Sequence, residues 1–146
     1  MTLAKHTLTV FSQLPGVFIP PFPPQPGGWN RTVIKYGQWE NATDRNVTGE
    51  GATFIDKHIG IIIPKAADAM GKGFLNEIDW NRLPVAERRE KWTLRIGDIV
   101  VFGEAPEISG PVTIDTVRAD FRHCLVKSVE DLTKQPVLPH WAIVGI

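Results

Sequence analysis

Residues 57–64 read Lys57-His58-Ile59-Gly60-Ile61-Ile62-Ile63-Pro64. Ile59, Ile61 and Ile63 fall on one side of an extended chain, and Pro64 ends the run. An apolar row at period two can be buried only against a sheet or a layer packed on one. The same pattern recurs. Residues 7–12 alternate, with Leu8 and Val10 pointing one way, and residues 29–36 place Thr32, Ile34 and Tyr36 on a common face. Gly37 is expected to break that second strand, leaving 38–42 as a candidate third and 41–51 as polar turn. Leu94-Arg95-Ile96-Gly97-Asp98-Ile99-Val100-Val101-Phe102-Gly103 reads as strand, tight Gly-Asp turn, strand. Residues 121–129 and 137–146 supply two more strands around a turn at 130–136. The last strand should lie inside the sheet, because an exposed apolar edge invites aggregation.

Two segments interrupt the pattern. Prolines at 15, 20, 21, 23, 24 and 26 exclude a helix or a central strand over 14–28, so this stretch is expected to be an extended, polyproline-like loop. Residues 65–91 are too long for a hairpin connection. They carry a predicted short helix over 84–91, with Pro84 at its first position. Residues 113–119 are read as a short helix or irregular chain. The expected fold is all-β with minor α: one domain over 1–146, a small antiparallel β-barrel or sandwich with two long loops and one short helix.

Composition narrows the function classes. Lys+Arg and Asp+Glu both total 16, a net charge of zero, which argues against a duplex-binding module whose affinity rests on excess cations. Cys124 is the single cysteine, so there is no intrachain disulfide and no CxxC metal site, which suits a reducing compartment. The first residues show no apolar signal core, and no stretch reaches the roughly 20 apolar residues of a membrane span, so a protein used without secretion is expected. The sequons at Asn30, Asn41 and Asn46 then read as polar turn composition.

A search for chemistry finds no assembled set. His6, His58, His123 and His140 share no metal-ligand spacing, and Gly71-Lys72-Gly73 lacks phosphate-loop spacing. Cys124 reads as a buried thiol. Asp115, Asp120, Glu130 and Asp131 read as solvated turn positions, and 87–91 as an exposed helix face with alternating charge. Trp29, Trp39, Trp80, Trp92 and Trp141 suit core and interface packing better than ligand stacking. No catalytic, cofactor or metal residues are predicted.

The order of these blocks resembles a known family. It begins with His6-Thr7-Leu8-Thr9-Val10, then Trp29-Asn30-Arg31-Thr32-Val33-Ile34 leading to Trp39, then the Ile-rich strand ending at Pro64. Residues 92–103 follow, then Val126-Lys127-Ser128-Val129-Glu130-Asp131, and Leu138-Pro139-His140-Trp141 with Val144-Gly145. The chain looks like the small virion proteins of the head-to-tail gene cluster of long-tailed phages and Gram-positive prophages, of the minor capsid, head-completion or stopper type. The proline segment from Pro15 to Pro26 and the 65–91 connection depart from that pattern.

The resemblance implies a structural role in the virion neck, after production in the cytoplasm of a bacterial host. It implies a cyclic homo-oligomer, read as a hexamer, between a portal or adaptor protein and the tail tube or tail terminator, with packaged DNA at its lumen and no membrane partner. A tail-terminator or tail-completion role is the alternative within that class. A small β-barrel module binding nucleic acid or carbohydrate through exposed tryptophans is the alternative outside it. Candidate subunit-contact or lumen residues are Pro20, Pro21, Phe22, Pro23 and Pro24 in the first loop, and Lys65, Met70, Gly71, Lys72, Gly73, Phe74 and Trp80 in the second. The glycines are expected to make the second loop flexible.

Overall fold

A computed structural model describes residues 5–16, 20–21, 28–47 and 53–146. Its elements in chain order are β1 (His6–Gln13), β2 (Trp29–Val47), β3 (Thr53–Pro64), β4 (Gly73–Phe74), α1 (Glu77–Arg82), α2 (Val85–Arg88), β5 (Lys91–Trp92), β6 (Ile99–Phe102), α3 (Ile114–Asp120), β7 (His123–Leu132) and β8 (His140–Gly145). Six strands close into an antiparallel barrel in the order β1-β2-β3-β8-β7-β6, with β6 returning to β1. β4 and β5 form a separate parallel pair. The expected all-β fold is therefore a closed barrel, and β8 lies inside the sheet between β3 and β7.

The alternating residues line the interior. Leu8, Val10, Ile34, Ile61, Ile63 and Ile143 are buried in the main core, with Val100 and Val126 completing the circuit. β1 is buried on both faces. Its outward Phe11 joins Ile99, Val101, Ala105 and Val117 in a second cluster, where α3 lies over the outside of β1 and β6. Thr9 survives in this buried strand because its hydroxyl is satisfied twice, donating to the Gly103 carbonyl at 2.7 Å and accepting from the Ala105 amide at 3.0 Å. α3 starts with a capping box: the Thr113 side chain accepts from the Thr116 amide, and Thr116 returns the bond.

Several boundaries differ from the expectation, each for an identifiable reason. β2 does not stop at Gly37. It runs through it, because a side chain there would put Cβ 2.6 Å from Leu8 Cδ1; the glycine permits close approach at the register shift opposite His6 and Leu8. Residues 41–47 pair with 53–59 as a continued hairpin instead of turning.

Residues 94–96 are not a strand. The Asp98 carboxylate accepts the Arg95 amide at 2.9 Å, Gly97 takes φ +96°, and its amide bonds to the Val126 carbonyl. A side chain bonding the backbone locally thus replaces the ladder, and β6 pairs with β1 and β7.

The insertion has two helices, not one. Asn76 caps the unexpected α1 by accepting from the Asp79 amide at 2.9 Å, and Pro84 is the N-cap of α2, not its first residue. Residues 130–132 extend β7, so the turn to β8 begins later than expected.

Two glycines test this packing. An added Cβ at Gly145 would lie 2.6 Å from Cys124 Sγ and 3.0 Å from the Leu125 carbonyl oxygen, whereas at Gly60 it would meet nothing within 4 Å. Gly145→Ala is expected to lose about 1–3 kcal/mol by overpacking. Gly60→Ala should be neutral or gain up to about 1 kcal/mol from lower unfolded-state entropy. Urea denaturation of the two variants measures both.

Candidate functional site

The two ends of the barrel are built differently. One is closed by the insertion between β3 and β6. Phe74 and Trp92, brought side by side by the β4–β5 pair, pack on Trp141 with ring centroids 4.5 and 5.0 Å away. Ala69 and Leu94 add to the same core. The insertion is tied to β2 by backbone bonds in both directions between Lys35 and Asp68, each 2.8 Å, and by Lys72. The Lys72 ammonium donates to the Arg31 carbonyl at 2.6 Å and to Asn30 Oδ1 and Thr32 Oγ1 at 3.3 Å. Burial holds its pKa below the ordinary lysine value, with Glu107 opposing that shift.

These bonds hold the second loop within the subunit, although its glycines were expected to make it flexible. Lys65 is exposed, but its amide is bonded to the Pro139 carbonyl. Met70 adopts φ +61° and its sulfur accepts the Val33 amide; Gly71, at φ +73°, completes that turn. Gly73 is paired to Lys91, and Phe74 is in the aromatic plug. Trp80 is fully buried, with the Arg88 and Arg95 guanidiniums each 5.7 Å from its ring, so its face is not offered to a neighbour. Of the proline-segment candidates, Pro20 and Pro21 are exposed; Phe22, Pro23 and Pro24 lie outside the described residues. The ends of that segment are held together by the Leu14 amide and the Gly28 carbonyl at 2.8 Å.

From the opposite end an arm emerges. β1 pairs with β2 only as far as Gly37, and β8 pairs with β3 only from Ile59. Beyond that rim, the six pairs from Ala42↔His58 to Val47↔Thr53 involve only β2 and β3 among the described strands. At roughly 3.4 Å per residue this ribbon extends about 20 Å. Its root is Trp39, set edge-on to Phe102 at 5.6 Å, and the same Phe102 ring has His6 at 5.0 Å and the Arg122 guanidinium at 5.6 Å. Sequence reasoning missed the arm. The β-branched residues flanking Gly49-Glu50-Gly51 were its only signal.

Near the plug, Asp98 is almost wholly buried. Its carboxylate accepts the Ser12 hydroxyl at 2.8 Å and the Arg95 amide at 2.9 Å, with the Arg95 guanidinium 3.5 Å away. Arg95 also donates to the Gln13 carbonyl at 2.9 Å. The group borders a shallow surface cleft of about 420 Å³, lined by Gln13, Leu14, Pro15, Gly16 and residues 95–98. Both carboxylate oxygens face groups of the protein itself, so the arrangement is a structural tie between β1 and the turn. No spacing rule could have found it, because Ser12 and Asp98 are 86 residues apart.

The remaining chemical candidates have local partners. His123 faces the Phe121 carbonyl and accepts from Arg118 Nε, and His140 faces the Leu138 carbonyl. Burial pushes the Cys124 thiol up to about 11, so it is inert as a nucleophile at neutral pH. Trp39, Trp80, Trp92 and Trp141 are all buried, and Trp29 is partly buried against the second cluster. Asn30, in the first sequon, is buried and donates to the Lys91 carbonyl. Among the described residues no three His, Cys, Asp or Glu side chains gather as a metal site, and no helix is long and apolar enough to cross a membrane.

Fold and site together define a small closed antiparallel barrel, plugged at one end and extended by a two-stranded arm at the other. The chain belongs to the family described as "Family of unknown function (DUF6751)", which matches residues 24–146. No curated protein and no solved structure matches it.

The Asp98 tie carries a pH signature. Desolvation pushes its carboxyl up to about 6, against the opposing charge of Arg95 and the hydrogen bonds from Ser12 and the Arg95 amide. The folded state therefore holds a proton that the unfolded chain, titrating near 3.9, has released. This contribution is fully present below about pH 4 and is lost as pH rises through about 6, a change of roughly 3 kcal/mol. Asp98→Asn should flatten that slope between pH 4 and 6.5 in urea titrations. An unchanged slope would mean that another group titrates.

Proposed function

We propose that this protein is a structural component of a phage neck: a ring of identical subunits in the stopper or head-completion position, between portal or adaptor and tail. The arm carries the reading. A ribbon extending about 20 Å past its own barrel has little to stabilise it alone, since two-stranded hairpins are marginal in water. Its backbone edges suit contact outside the subunit. The rest of the molecule fits a scaffold role. Aromatic packing closes one end, Asp98 and Lys72 are engaged as internal ties, and the Cys124 thiol is buried.

In this reading the β2–β3 hairpin is the element that reaches beyond the subunit. The barrel wall is the ring body, and packaged DNA passes the lumen. Stacking of sugars or bases on tryptophan has little support, because four of the five rings are buried.

Two measurements test the proposal. Mass spectrometry of purified virions should detect the protein, and particle reconstructions should place a ring of this subunit at the neck. Replacing residues 42–58 by a two-residue Asn-Gly turn should leave the barrel's melting temperature within a few degrees, because the excised pairs lie beyond the rows at which β1 and β8 join the sheet. The same excision should sharply reduce infectious particles. Intact infectious phage from a deletion of the whole gene would overturn the proposal.

A further inference from the structure

The ammonium of Lys72 is held by neutral oxygens alone. Its hydrogen-bond partners are the Arg31 carbonyl at 2.6 Å and Asn30 Oδ1 and Thr32 Oγ1 at 3.3 Å. Among the described residues it forms no ion pair with a carboxylate. Burial is the main cause that lowers its pKa. Glu107, which itself faces Arg31 at 3.8 Å, opposes the shift, and the Arg31 and Arg89 guanidiniums add to it. A lysine desolvated beside other cations is the kind that gives up its proton and attacks a carbonyl carbon.

A carbonyl carbon stands beside it. Asn30 is 3% exposed, and its carboxamide is oriented from both ends. Nδ2 donates to the Lys91 carbonyl at 2.8 Å, and Oδ1 accepts from Lys72. Gly73, the residue after Lys72, pairs with that same Lys91 across β4 and β5, so one strand pair sets both side chains. The carboxamide carbon is one C=O bond, about 1.2 Å, from Oδ1. It therefore lies within about 4.5 Å of Nζ, about an ångström beyond the distance at which bound groups react. The lysine side chain has rotatable bonds to cover that gap.

We propose that Lys72 and Asn30 join in an intramolecular isopeptide bond that staples the insertion to β2. The step needs no co-reactant. The ammonium first loses one proton to water. Its two remaining N–H groups stay on the Arg31 carbonyl and the Thr32 hydroxyl, which leaves the lone pair for Asn30 Cγ. The Nζ–Cγ bond forms and the Cγ–Nδ2 bond breaks. One proton of the amine passes to Nδ2, which departs as ammonia, and no atom is oxidised or reduced. Holding both groups in place supplies the high effective concentration that an unreactive carboxamide requires.

The bond links residues 42 apart in sequence. Between them lie the rest of β2, the whole arm and β3. Closing such a loop constrains the unfolded chain and holds the plug against the mouth of the barrel. The proposal is independent of the neck assignment, because both partners belong to one subunit.

A mass measurement tests it. The purified full-length protein is incubated at about pH 9, which favours the free amine, then weighed intact and digested with trypsin. The intact mass should fall one ammonia short of the sequence mass. Tryptic fragments 6–31 and 66–82 should appear as one joined species, with the link at Asn30 and Lys72. Lys72→Arg keeps a cation and donors but offers no amine, so it should show full mass and a free 6–31 fragment. Full mass with separate fragments in the unmodified sequence would overturn the proposal. So would a missing ammonia without joined fragments, the mark of a succinimide at an asparagine, or an ammonia deficit that persists in Lys72→Arg.

Discussion

β1 is the strand on which closure depends. It pairs along one edge with β2 and along the other with β6, and it buries side chains on both faces. A sheet left open there would expose two edges, and Phe11 would lose the outer cluster that seats α3. The ties at either end of β1 follow from the same demand. Ser12 donates to Asp98 at the plug end, and the Gly103 amide bonds to the Thr7 carbonyl toward the arm end. A buried carboxylate is tolerated in this position because three donors surround it, and the cost of desolvation remains visible in its raised pKa.

With closure fixed, the plug and the arm become complementary consequences of strand length. β6 and β8 are short, and they set the height of the barrel. β2, with 19 residues, overruns that height at one end. At the other end β1, β2 and β3 leave an open mouth that must be filled, and the insertion fills it with Phe74, Trp92 and Leu94. Lys72 shows how tightly the filling is held: three oxygens of β2 surround one half-buried ammonium.

The sequence carried the barrel where burial imposes alternation. Ile59, Ile61 and Ile63, Leu8 and Val10, and the closing strand were all legible, because one face of each strand meets the core. Legibility failed where a residue does something local or long-range that a period cannot encode. Gly37 looks like a breaker in isolation, and only the approach of Leu8 reveals it as a point of contact. Residues 94–98 resemble a hairpin until Asp98 finds Ser12. Gly71 and Gly73 suggest flexibility, yet one completes a turn and the other joins a parallel pair. The arm was read as turn because a ribbon beyond the core is not required to alternate.

The continuity of β2 and β3 from barrel into arm has a mechanical meaning. Force applied along the arm enters the barrel parallel to its strands, while the antiparallel hydrogen bonds that hold β2 to β1 and β3 to β8 run across them. The ladders are then loaded in shear, with many bonds sharing the load, and do not open one at a time from an end. Tension on the arm is borne by the whole wall.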